Sequence, residues 1–154
     1  MAEITYEDKR EAILQRLLAV AKAVDETFEA RRNETRLSDK QKYVVLLDGE
    51  ETAMASDPVT GRAASAPRRV QMVPEIQFRV GAEAEDVGTI LNRLRIRLIA
   101  SVLTDATLLG LTVNNHSIRY EGSNMVAERG RSMEGGIGIA FTFTYALYPG
   151  RTAV

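Results

Sequence analysis

Side chains suited to chemistry are sparse in this sequence. Its 154 residues hold one histidine, no cysteine, 20 basic and 21 acidic side chains. A catalytic nucleophile needs an activating base within hydrogen-bond reach, and the only imidazole is His116, in "VNNHS". Neither a nucleophile elbow nor a metal-ligand spacing flanks it, so it reads as a histidine in a surface turn. The lack of cysteine excludes thiol catalysis, a Cys-ligated metal and a disulfide framework. "GGIG" at 135–138 precedes a strand, so no helix N-terminus stands behind it to take a phosphate; room for close backbone approach is the simpler use of those glycines. The glutamates of "RYEG" and "MEGG" have no second carboxylate at a defined spacing. The expectation is a protein that is not an enzyme and carries no cofactor and no metal.

The other group with chemical potential is cationic, "NRLRIRL" at 92–98. On a helix, Arg93 and Arg97 lie about 40° apart, and Arg95 points about 160° from Arg93. Two arginines share an edge and the third does not. The pair is a like-charge i,i+4 neighbour. It reads as a solvated edge or as a pair awaiting acidic side chains of another chain; DNA contact is the remaining reading. A net charge of −1 supplies no global field towards nucleic acid or a membrane.

These side chains need elements to position them. Residues 6–30 have the 3–4 spacing of an amphipathic helix, through Ile13, Leu17, Ala21, Val24 and Phe28, with "TYED" as a capping box on Thr5 and Asp8. A polar connector, "ARRNETRLSDK", follows. "KYVVLLDG" is apolar on both parities, as in a strand buried on both faces, and it ends in a turn. Residues 50–67 lack periodicity and read as a long loop. "RRVQMVPEIQFRV" alternates, with Pro74 marking an edge or a bulge. A second long helix spans 83–104, with a stripe of Val87, Leu91, Leu94, Leu98 and Val102; "DATLLGL" adds a short helical turn. "SIRYEG" is a short strand, 122–134 is a second loop, and the last strand runs through "GGIGIAFTFTYALYPG". The expected fold is α+β in one domain over 1–154, with a mostly antiparallel sheet of about four strands and two long helices on one face. "MAEITYEDKR" lacks the basic and apolar regions of a secretory leader, and no apolar run approaches the roughly 20 residues of a membrane helix.

Two surfaces in this scheme need cover. Ile96, Ile99 and Leu103 fall near the side opposite the main stripe of the second helix, where an apolar cluster marks an interaction site unless the first helix or a loop covers it. In the last strand the large residues, Ile137 through Leu147, share one parity. Gly138, Ala140, Thr142, Thr144 and Ala146 share the other, with no charge among them. Ala140 and Thr142 are therefore expected under a flat uncharged surface, either the long loop of this chain or the sheet of a neighbouring subunit. Together the two surfaces point to an oligomer.

The order and spacing of the blocks "REAILQRLLAVAKAV", "ARRNETR", "YVVLLDGEE", "VQMVPEIQFRV", "ILNRLRIRLIASVLTDATL", "IRYEG" and "GIAFTFTYAL" resemble the tail-terminator, or tail-completion, proteins of lambda-like phages. The 50–67 loop matches no element of that family. The resemblance implies a structural virion protein assembled in the bacterial cytoplasm. It implies a self-associating ring, typically a hexamer, on the head-proximal end of the tail tube. There the ring ends tube polymerisation and presents a surface to the neck. The implied partners are the tail tube protein and the neck or head–tail connector, with no membrane and no specific nucleic acid. Arg62, Arg68, Arg129 and Arg131, in or beside the two loops, are candidates for contact with acidic surfaces of tube or neck. A head–tail joining protein is the neighbouring alternative. A nucleic-acid-binding α+β domain is more distant, since it would set aromatics on a basic sheet face, whereas Phe141, Phe143 and Tyr145 share the core parity here.

Overall fold

The computed structural model describes residues 8–34, 42–54, 67–81, 84–127 and 134–148. The expected α+β class holds, with more elements than the pattern announces: among the described residues, three α-helices and seven strands in one mixed sheet rather than about four strands and two helices. Helix α1 is Lys9–Val24, shorter at both ends than its periodicity predicts. Asp8, expected at the third helical position, is instead the N-cap, its carboxylate accepting the Glu11 N–H at 3.1 Å; Thr5 lies outside the described residues. Phe28 keeps its place in the core without being helical, set edge-on to Phe78 at 5.6 Å between centroids.

The polar connector after α1 opens as strand β1, Glu29–Arg32, parallel to β2, Tyr43–Leu47. A four-residue strand with two arginines gives no apolar alternation, which is why its sequence reads as connector. The expected 50–67 loop begins as strand β3, Glu51–Ala53; residues 55–66 lie outside the described residues. "RRVQMVPEIQFRV" divides into β4, Arg68–Met72, and β5, Glu75–Gly81. Both pair antiparallel with the last strand in one unbroken register, Met72 opposite Phe143 and Glu75 opposite Ala140. Only the missing N–H of Pro74 interrupts the ladder, and its carbonyl still accepts the Phe141 N–H at 3.2 Å. Pro74 is thus in the middle of the sheet rather than at an edge. The bulge lies beside it, at Asp48–Glu50, where the β2–β3 side carries one residue more than β4–β5 between the pairs Leu47–Glu75 and Glu51–Met72. Gly49 makes this possible: its φ is 73°, and a Cβ there would collide with the Val73 carbonyl.

Helix α2, Ala84–Thr104, leads through α3, Ala106–Leu111, and a 3₁₀ turn at Val113–Asn115 into β6, Ile118–Ala127. The expected short strand is ten residues long, so the 122–134 loop is corrected: 122–127 belong to β6, and 134 begins β7, Glu134–Leu147. β6 pairs with β7 past a bulge between Tyr120 and Gly122. The two long helices lie on one face of the sheet. Ile13, Leu14, Leu17, Leu91, Leu98 and Val102 from the helices meet Val44, Leu46, Met72, Ile76, Phe78 and the odd-numbered residues Ile137–Tyr145 of β7 in one cluster, all 2 % exposed or less.

Candidate interaction surface

Among the described residues no helix lies on the second face of the sheet, yet its centre is not bare. Tyr43, Val45, Gly136, Gly138 and Thr142 on this face are all buried. Long polar side chains from neighbouring strands lie flat over them. Gln77 donates from Nε2 to Glu75 Oε2 at 3.0 Å, and Arg79 donates from Nη2 to Gln77 Oε1 at 3.1 Å, so the outward residues of β5 form one chain. That chain rests beside β7, where Gly136 is opposite Arg79, Gly138 opposite Gln77 and Ala140 opposite Glu75. A Cβ on Gly138 would strike Glu75 Oε1. From the other side Glu121 reaches across: its Oε1 accepts the Thr142 hydroxyl at 2.6 Å and the Arg119 Nε–H at 2.6 Å. The Thr142 hydroxyl, then Arg119, hold the Glu121 carboxyl below its ordinary range. Arg31 stacks over Tyr43, 5.8 Å from the ring centroid.

The small parity of β7 therefore has a cause inside the chain. Small residues leave room for the side chains of β5 and β6, and a charge on β7 would displace them. Of the two residues expected under another surface, Thr142 is 5 % exposed, its hydroxyl bound to Glu121, and Ala140 is half-buried beside Glu75. The helix patch is also smaller than its spacing implies. Ile99 and Leu103 pack against the core, and only Ile96, 54 % exposed, stands clear. Their separation from the main stripe is closer to a third of a turn than to a half, which lets the core reach two of the three. Arg93 and Arg97 are exposed, as a solvated edge requires. Arg68 is exposed and donates to the Met54 carbonyl at 3.2 Å; Arg62, Arg129 and Arg131 lie outside the described residues. His116 is exposed in its turn, Nδ1 2.6 Å from the Asn114 carbonyl oxygen. Among the described residues no group of three His, Asp or Glu side chains could hold a metal ion, and no helix is long and apolar enough to cross a membrane.

Two ionic clusters were illegible in the sequence. Arg32 forks onto both oxygens of Asp48, 2.9 Å each, and onto Glu11 at 2.6 Å, tying β1 to the β2 end and to α1. Asp48, then Glu11, raise the Arg32 pKa above its ordinary value, and the Arg32 hydrogen bonds push the Asp48 carboxyl down. Arg16 grips both oxygens of Asp105, at 2.7 and 3.0 Å, while the same carboxylate caps α3 through the Leu108 N–H. The Asp105 that opens "DATLLGL" was the one available signal, a cap residue before an apolar run. Beneath β3, Tyr145 donates its hydroxyl to Glu51. Burial, reinforced by Glu51, raises the Tyr145 pKa and keeps that proton in place.

The sheet edges complete the surface. Among the described residues β6 pairs only with β7, β1 only with β2 and β3 only with β4. No protein-family model fits the chain, and no curated protein matches it.

Proposed function

We propose that this chain is a structural virion protein that forms a ring on the head-proximal end of a phage tail tube, ends tube growth and offers the joining surface for the neck. The observation that carries the reading is the two-layer architecture. Among the described residues two long helices cover one face of the sheet, while the other face carries no helix and β1, β3 and β6 each pair on one side only. The order and spacing of the sequence blocks that resemble the tail terminators support it; among the described residues the chain runs helix, five strands, two helices and two closing strands. A ring of identical subunits needs two different surfaces on each chain, since a head-to-tail contact joins unlike patches and closes by rotation.

The test is electron microscopy of tails assembled with and without the chain. With it, tubes of uniform length should end in a ring at the head-proximal tip; without it, tubes should grow overlong. Unaltered tube lengths in its absence would sink the reading. Binding to the portal-side protein and none to tube ends would move the chain to the head–tail joining class.

A further inference from the structure

Five strands in register make rows that cross the whole sheet. One row, on the helix-facing side, runs Ala30, Val44, Phe78, Ile137, Met125. Its two ends differ. Ala30 packs against the core, whereas Met125 is 57 % exposed, more than any other large hydrophobic among the described residues. Met125 belongs to the stretch Gly122–Ala127 of β6, which has no charged residue. Edge strands are ordinarily blunted by charge, by proline or by a covering element. Here none of these is present along six residues whose outer side pairs with nothing among the described residues.

We propose that the outer edge of β6 receives β1 of a second copy of this chain, so that the sheet runs on from subunit to subunit and Met125 packs beside the neighbour's Ala30. The inference rests on the reading that the chain self-assembles, and it names the surfaces involved. Strand direction favours it. β1 is parallel to β2, and each later step across the sheet, from β2 to β5, β7 and β6, is antiparallel, so β1 and β6 run in opposite directions. Copies set side by side in one orientation therefore meet as antiparallel strands, which exchange straight N–H to carbonyl hydrogen bonds. The row-by-row match favours it as well. Continuing the rows brings Glu29, Ala30, Arg31 and Arg32 abreast of Val126, Met125, Asn124 and Ser123. No like charges meet, an apolar residue meets an apolar one, and Arg31 comes beside an amide that can accept from it. Each chain uses one edge of each kind, which is the requirement for closure into a ring.

A chain without cysteine lends itself to a direct test. Ala30→Cys and Met125→Cys together introduce the only two thiols. Within one chain they stand four strand spacings apart, about 19 Å, far beyond the roughly 7 Å limit between the Cα atoms of a disulfide. Any disulfide must then join two copies. Oxidation of the purified double variant, free and bound to tail tubes, should give a ladder of linked chains on a non-reducing gel, and neither single variant should link. Linked dimers from Met125→Cys alone would mean that β6 pairs with β6, and would overturn the proposal. So would the absence of a ladder both in solution and on tubes. Rings on tubes without a ladder would leave the terminator reading standing and remove this one; a ladder with no effect on tube length would do the reverse. Should Ala30→Cys fail to fold by circular dichroism, the adjacent row, Arg31→Cys with Asn124→Cys, carries the same test.

Discussion

The two faces of β7 achieve burial by different means. On the helix-facing side Ile137, Ile139, Phe141, Phe143 and Tyr145 are 2 % exposed or less, sealed by apolar packing under α1 and α2. On the other side Gly136, Gly138 and Thr142 are also buried, but under the polar chain Glu75–Gln77–Arg79 and the Glu121 carboxylate. The first kind of cover is close-packed and costly to disturb. The second is a layer of side chains whose outer atoms stay wet, so it can yield. A face of that kind can meet a partner without first exposing the core.

The largest effect should come from the sealed face. Phe141, between the rings of Tyr120 and Phe143 at 6.0 and 6.4 Å, should lose about 3–5 kcal/mol on replacement by alanine, read by urea unfolding. If Phe141→Ala costs no more than a substitution on the wet face, the comparison fails.

Next in size is the Arg32 fork, which fastens the edge strand rather than a face. Arg32→Ala should cost about 1–2 kcal/mol, near the low end for charge-assisted bonds because water reaches the fork. Its pH signature has a definite sign. The Asp48 carboxyl is depressed in the folded chain, chiefly by Arg32. Its contribution is therefore complete above the unfolded carboxylate value of about 3.9 and is lost as pH falls through the lower folded value. The wild type should lose stability across that acid window, and Arg32→Ala should lose less there. Parallel acid-unfolding curves would exclude the fork as the source.

Two glycines on opposite faces of β7 sharpen the contrast. A Cβ on Gly135 would strike Val87 Cγ1 of α2, and one on Gly138 would strike Glu75 Oε1. Gly135→Ala pushes on packed helix and should cost about 1–3 kcal/mol. Gly138→Ala pushes on a carboxylate that can swing, and should cost less than Gly135→Ala by thermal unfolding. Adding Glu75→Ala should relieve most of the Gly138→Ala penalty, whereas equal penalties at the two glycines would show both faces to be equally rigid. The smallest expected effect is local. Thr142→Val removes a donor from Glu121, and the Glu121 pKa, followed by NMR titration, should move up towards the ordinary range. An unmoved titration would mean that Arg119 alone sets it.

Much of this was legible in short-range pattern. Apolar spacing in "REAILQRLLAVAKAV" and in the stripe Val87–Val102 places both long helices, because a helix repeats within a few residues. The alternation of "GGIGIAFTFTYALYPG" names the core parity of β7 for the same reason. Three readings were incomplete where the cause is a partner distant in sequence. β1 reads as a connector, since four residues joined parallel to β2 leave no alternation of their own. The small parity of β7 reads as a seat for the long loop or a neighbouring subunit; among the described residues Glu75, Gln77 and Glu121 lie against it, from strands whose adjacency no local pattern encodes. Ile99 and Leu103 read as an interaction patch unless another element covers them, and the choice stayed open because helix spacing gives angles, not the depth to which α2 sinks into the core.

By itself, then, the sequence determined the two long helices, the buried parity of the last strand and the absence of cysteine. Tertiary structure alone decided the parallel edge strand, the choice of bulge over edge beside Pro74, the Arg32 fork across 16 and 21 residues of chain and which strands pair on one side only among the described residues. The physical reason is range. Propensity and periodicity are energies between residues a few positions apart, whereas pairing order and side-chain cover arise only when the loop-closure entropy of bringing distant strands together has been overcome.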